Sequence, residues 1–157
     1  MADLSYYQKR RQALKRSYLS SGEGEPRPLQ TGGVDHLALI GSELERTIAF
    51  YAEVLGMRLT QIVRNRDERT STHIFFDMGG ANQLAFFDFP ESESGRTVRG
   101  VGSMHHVALK TQPDQMRAII GQLDKHHLSY SLHGTSDAGS IHVRDPDEIP
   151  VELTTGY

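Results

Sequence analysis

Four side chains in this sequence carry chemistry at places where a packed strand has no use for it. His36 opens the apolar run "HLALI", and His106 opens "HVALK" in the same way. His142 sits inside "SIHVR" and Glu152 inside "PVELT". Imidazoles and carboxylates move protons and bind cations. Among aliphatic neighbours they cost free energy unless they find a partner. Successive side chains of a strand point to opposite faces. If Leu37 and Leu39, Val107 and Leu109, Ile141 and Val143, and Val151 and Leu153 face a helical layer, then His36, His106, His142 and Glu152 all face the other way. Should the sheets curl toward each other, these four line one cup. His105 has the opposite parity and belongs to the surface or behind its neighbour.

The elements that must position them form a diverged duplication. The first half, 34–90, opens with the strand "VDHLALI" and continues into "GSELERTIAFYAEVLGM". Ser42 with Glu45 fits a capping box, Leu44, Ile48, Tyr51 and Leu55 share a helical face, and Gly56 is the expected stop. Three strands follow, at 58–64, "THIFFDM" and "QLAFFDF", with a Gly-Gly-Ala-Asn turn at 79–82. The second half, 103–157, repeats the order. "MHHVALK" is its strand, Thr111 and Pro113 start its helix, and Met116, Ile119, Ile120 and Leu123 form the apolar face. Short strands near 129–133, at "SIHVR" and at "PVELTT" complete it. His126 and His127 cap the end of the helix. The segment "PESESGRTVRGVG" connects the halves. The expected fold is therefore α+β, with tandem βαβββ modules forming a cupped mixed sheet. A repeat this short cannot bury its sheet alone, so the two modules should form a single domain over 34–157.

Composition limits the alternatives. The 157 residues are 37% hydrophobic and 24% charged, with formal net charge −3 and no cysteine. That excludes a disulfide scaffold and a thiolate site, and offers no argument for nucleic acid or an acidic membrane. No apolar stretch approaches the roughly 20 residues of a membrane span. The start lacks the apolar core of a signal peptide, so a cytoplasmic protein is the default. Residues 1–33 stand apart as an arm and linker. Lys9, Arg10, Arg11, Lys15, Arg16 and Arg27 outnumber Asp3, Glu23 and Glu25. Residues 5–19 can form a helix with Tyr7, Leu14 and Tyr18 as a thin stripe, and "SSGEGEPRPLQTGG" reads as a linker.

The duplicated βαβββ pattern, the histidine opening a strand in each half, and "DPDEIPVEL" near the end resemble the vicinal oxygen chelate superfamily. That group includes glyoxalase I, fosfomycin-resistance proteins, methylmalonyl-CoA epimerase, bleomycin-resistance proteins and extradiol ring-cleaving dioxygenases. The resemblance covers about residues 34–155. It implies a divalent metal held by His36, His106 and Glu152. Aligning Leu84-Ala85-Phe86 with Val151-Glu152-Leu153 places Ala85, which cannot coordinate, at the family's fourth ligand position; Gln83 shares its parity. Two histidines and one glutamate form the facial set that binds Fe(II) for oxygen chemistry, and the set also suits Mn(II). Zn(II), which favours closed tetrahedral sites, fits less well.

The extradiol dioxygenases match further. They too have paired histidines before an apolar strand, here His105-His106, with the second as ligand. The resemblance makes His142, ten residues before Glu152, a hydrogen-bonding residue, and His133, nine residues earlier, its support. The family's acid–base histidine maps to about Asn82, which cannot shuttle a proton; His73 can stand in, since it shares the parity of Phe75 and Asp77. Glu148 occupies a turn position where the family has glycine. Phe75, Phe86 and Phe87 read as core or pocket wall, with Phe87 the best ring-stacking candidate, and Asn82 and Arg144 join it as substrate-binding candidates. The implied activity is ring cleavage of a catechol-type vicinal diol by a homodimer. The alternatives are a non-redox metal enzyme of the glyoxalase, epimerase or fosfomycin-resistance kind, and a metal-free binding protein. The last needs no triad. The second needs cations in the cup, and only Lys110 and Arg144 lie on suitable strands.

Overall fold

The structure, a computed structural model, describes residues 4–18, 31–89, 98 and 100–156. Most of the expected linker, and most of the connection at 90–102, lie outside the described residues. The chain divides at Gly33 into two compact units. The first holds α1 (Leu4–Tyr18), which has basic residues in its last turn and no buried residue. Its Tyr7, Leu14 and Tyr18 are exposed. No helix of the described residues is long and apolar enough to cross a membrane.

The second unit carries both modules. Strand β1 (His36–Ile40) leads into α2, which starts as an α-helix at Leu44–Ile48 and widens into π winding over Ala49–Val54. The wider winding buries adjacent residues, so Phe50, Tyr51, Val54 and Leu55 all enter the core. Gly56 ends the helix at φ +72°, a left-handed conformation that suits glycine. Strands β2 (Leu59–Arg64), β3 (Thr72–Gly79) and β4 (Asn82–Phe87) complete the module. Gly80 and Ala81 join β3 to β4, both at φ near +60°, the geometry that matches strand twist in a two-residue hairpin. The second module runs β5 (Val107–Lys110), α3 (Pro113–Lys125), β6 (Tyr130–Gly134), β7 (Gly139–Arg144) and β8 (Pro150–Thr154). His126 closes α3, and His127 turns the chain left-handed at φ +56°.

The strand orders are β1-β4-β3-β2 and β5-β8-β7-β6. In each sheet the first strand of the module lies at an edge and pairs in parallel with the last. Two four-stranded mixed sheets form, one from each βαβββ module, as the tandem reading of the sequence expects. The helix-facing rows pack as one cluster that joins the modules, with Tyr51, Phe76 and Phe86 from the first and Met116, Leu123, Ile141 and Val151 from the second. The face parity read from the sequence holds in both sheets, because a one-residue slip would place those aliphatic rows in water.

Two helix starts differ from expectation. Ser42 does not cap α2; Glu43 occupies the cap position. The Asp147 carboxylate captures Ser42 instead, accepting its backbone N–H at 3.0 Å and its hydroxyl. At α3 the cap falls on Gln112 rather than Thr111, because the Gln115 side-chain oxygen accepts both the Gln112 N–H at 2.9 Å and the Thr111 hydroxyl at 3.3 Å.

Candidate functional site

The parallel pairing of β5 with β8 sets Ala108 opposite Glu152, and the antiparallel pairing of β8 with β7 sets Glu152 opposite His142. These three share the face turned away from α3. Glu152 is only 2% exposed. His106, just ahead of β5, reaches diagonally to it, with Nε2 3.1 Å from the Glu152 Oε2. Its other ring nitrogen lies 2.7 Å from Nδ1 of His105. His105 thus stands behind the ring that faces the site. His142 lies beside them, its ring 6.3 Å from that of His106. The Ser140 hydroxyl is 3.3 Å from His142 Nε2, and His133 meets the ring edge-on at 5.0 Å. A cleft of about 420 Å³ opens here, lined by His105, His106, Tyr130, His142 and Arg144 among others. Arg144 donates to the Glu148 carbonyl at 2.7 Å.

The first module carries the matching face. In β1–β4 the partner of Ala38 is Ala85, the counterpart of Ala108 and Glu152. The register therefore places alanine where the second module has its carboxylate. His36 occupies the position of His106, oriented by Asp35 through a 2.7 Å contact to Nδ1. His73 stacks on Phe87, with centroids 3.6 Å apart, and touches Phe75 at 4.0 Å. Burial first, and then the proximity of His36, hold His73 below the usual histidine range. Its Nε2 is buried with no hydrogen-bond partner. Asn82 lies in the hairpin, where its amide donates to the Gly79 and Gly80 carbonyls. Gln83 donates to the Thr60 hydroxyl.

The candidate site residues thus fall into two clusters. His106, Glu152, His142 and His133 gather on the second sheet, and His36 and His73 on the first. Among the described residues no three His, Cys, Asp or Glu side chains come together to hold a metal ion. His106 and Glu152 fit such an ion as an adjacent nitrogen and oxygen pair of the type first-row divalent metals accept; His36 of the same chain does not join them.

Sequence reasoning passed over one polar group. Asp145, buried at 4% exposure, accepts the backbone N–H groups of Asp147 and Ile149 at 2.9 and 2.8 Å, and the Tyr51 hydroxyl at 3.1 Å. Burial pushes the Asp145 carboxyl up to about 6, against the pull of those three donors. Burial, and then the Asp145 charge, push the Tyr51 hydroxyl well above its ordinary range, so it remains a donor. The signal was present in "DPDEI", an acid-rich run next to an apolar strand. A larger cleft of about 670 Å³ lies between the end of α2 and α3, with Leu55, Met57, Leu109 and Ile119 in its wall and no histidine.

Comparison with known proteins adds the following. The model of the glyoxalase/bleomycin resistance protein/dioxygenase superfamily matches residues 33–153. Metapyrocatechase from Pseudomonas sp. strain CF600 is 32% identical over 118 residues, which cover 71% of this chain and 35% of that protein. A glyoxylase/bleomycin resistance protein/dioxygenase domain from Frankia sp. EAN1pec shares the fold with a TM-score of 0.69 at 16% identity, covering 81% of this chain and 99% of that one. The fosfomycin resistance protein FosX from Listeria monocytogenes, solved with Mn(II) and 1S,2S-dihydroxypropylphosphonic acid, shares it with a TM-score of 0.60 at 19% identity, covering 81% and 94%. The chain spans about a third of the length of the ring-cleaving relatives it matches.

Proposed function

This chain belongs to the glyoxalase/bleomycin resistance protein/dioxygenase superfamily, and from that premise we propose that it is a divalent-metal-dependent enzyme cleaving the ring of a catechol-type vicinal diol. The observation that carries the reading is the 3.1 Å approach of His106 Nε2 to Glu152 Oε2 on a sheet face that also presents His142. In this reading the metal ligands are His106 and Glu152 of one chain and His36 of a second copy, so the working form is a cytoplasmic homodimer acting on a small molecule. Fe(II) is the preferred ion, with Mn(II) and Zn(II) as alternatives. His106, Glu152 and the second copy's His36 would hold the ion, which would supply Lewis acidity and an electron source for O2.

The chain's own side chains have distinct roles in this proposal. His142 donates a hydrogen bond into the site, with Ser140 and His133 holding its ring. His73, close to His36 on the first sheet, takes the diol proton. Phe87 offers a flat wall to the substrate ring, and Arg144 faces its polar substituents from the second module. The amide of Asn82 serves the hairpin, which leaves proton transfer to His73.

The test is anaerobic reconstitution with Fe(II), addition of a panel of catechols, and measurement of oxygen uptake. Uptake that depends on both iron and diol is expected. Its absence with every diol, in protein shown to hold iron, would shift the reading to a non-redox metal enzyme. FosX, solved with Mn(II), shares the fold and is the pattern for that second reading. Ligand binding without any metal would leave a bleomycin-resistance-like binding protein.

A further inference from the structure

We propose that Tyr51 and Asp145, assisted by Ser42 and Asp147, are positioning residues for the metal-binding half-site: they fix the register of β8 and so decide that Glu152 faces His106. The inference rests on the reading of His106 and Glu152 as metal ligands.

Strand β8 follows β7 through the loop 145–149, and Arg144 pairs with Pro150 across its mouth. The loop is closed by the Asp145 N–H to the Ile149 carbonyl at 3.0 Å and the Glu148 N–H to the Asp145 carbonyl at 3.0 Å. The Asp145 carboxylate ties down two further N–H groups, those of Asp147 and Ile149. Loop geometry sets hairpin register, and a one-residue slip would exchange the two faces of β8. Glu152 would then turn into the core, and Val151 or Leu153 would take its place beside His106. The loop therefore determines which side chain the site receives.

The loop is also indexed to the other module. Tyr51, fully buried on α2, donates to Asp145 Oδ2. Ser42 gives both its N–H and its hydroxyl to Asp147, and Arg46 reaches the Pro146 carbonyl at 3.4 Å. The backbone of Gly41 lies close by: a Cβ there would stand 3.4 Å from Asp147 Oδ2 and 3.1 Å from Thr47 Oγ1. All these groups belong to the β1–α2 segment that follows His36. One contact set thus couples the strand carrying His36 to the strand carrying Glu152. Each of these hydrogen bonds would be lost or strained in a shifted register, so together they hold one register against its neighbours.

The experiment follows Mn(II) binding by electron paramagnetic resonance in the full chain and in Tyr51→Phe, Asp145→Ala, Asp145→Asn and Ser42→Ala, with circular dichroism reporting folding. Tyr51→Phe and Asp145→Ala should weaken Mn(II) binding by about tenfold, as removal of groups that orient ligands does. They should also alter the line shape of the bound ion. Asp145→Asn keeps an acceptor oxygen for the Asp147 and Ile149 N–H groups, its NH2 can donate to the Tyr51 hydroxyl oxygen, and it should recover most of the affinity. Should Tyr51→Phe fail to fold, Ser42→Ala at the exposed end of the same contact carries the test with a smaller loss, about threefold. Affinity within twofold of the unaltered chain in every folded variant would overturn the inference. If the unaltered chain binds no Mn(II), Fe(II) or Zn(II), the metal reading fails, and this inference with it.

Discussion

Nε2 of His106 stands 3.1 Å from Oε2 of Glu152, across the parallel pair β5–β8. Neither side chain contributes to the apolar cluster beneath the sheet. Two such donors hold an ion poorly once either is lost. His106→Ala or Glu152→Ala should therefore lose most of the bound metal, measured by elemental analysis of protein purified without chelator. His105→Ala should retain most of it, because that ring lies behind His106. Full occupancy in both of the first two variants would sink the assignment.

The separation of His36 from this pair within one chain makes a sharp prediction about assembly. A closed dimer in which each site takes His36 from one copy and His106 with Glu152 from the other is symmetric. Mixing unfolded His36→Ala and Glu152→Ala chains and refolding them together should then restore about a quarter of the native sites, since half the dimers are mixed and each has one intact site. A site built within one chain would give no recovery. Light scattering should show a dimer at micromolar concentration.

The fold was legible because period-two alternation and two helical stripes leave little freedom: burying Leu37, Leu39, Val151 and Leu153 settles the face of His36 and Glu152. The alignment of Ala85 with Glu152 follows from the same pairing in both sheets. How the modules meet was not legible. It depends on the contacts of Tyr51 with Asp145 and of Ser42 with Asp147, between residues far apart in sequence, and periodicity carries no information on such pairs. The Ser42 capping signal misled for the same reason, since a distant carboxylate outcompeted the local cap. The hairpin role of the Asn82 amide was hidden because it depends on the left-handed backbone of Gly80 and Ala81.

Asp145 should give stability a specific pH dependence. Unfolded, its carboxyl ionises near 3.8; folded, it holds its proton until about 6. The folded state therefore binds more protons between those values. Stability from this group is full below about pH 4 and is lost as pH rises through about 6, by up to about 3 kcal/mol. Asp145→Asn cannot ionise, so its melting temperature should fall less than that of the unaltered chain between pH 4.5 and 7.5. Parallel curves for the two proteins over that range would contradict the assignment.

Glu148 sits at φ +65° in the loop before β8, where a Cβ is strained. Its carboxylate lies 3.7 Å from Arg144 Nε in an exposed pair, a contact that contributes little. Glu148→Gly should therefore raise stability by about 0.5–1 kcal/mol, seen as a small upward shift in thermal unfolding. Metal affinity should not change. A lower melting temperature would mean that the Arg144 contact outweighs the relief of strain.

The last prediction separates His142 from the other histidines. His142 pairs with Glu152 across β7–β8, and Ser140 and His133 hold its ring. If it donates a hydrogen bond to charge that develops on the substrate, its loss should be felt in turnover more than in metal binding. His142→Ala should lower kcat/KM for the best diol about 100-fold while leaving iron content near that of the unaltered chain. His133→Ala, which acts only through His142, should cost about tenfold. His127→Gly is the control: residue 127 follows the cap of α3 in the left-handed conformation, which glycine accepts, and lies outside the site cleft. It should keep full activity. Equal losses in His142→Ala and His127→Gly would show that the effect comes from folding, and the assignment of His142 would fall.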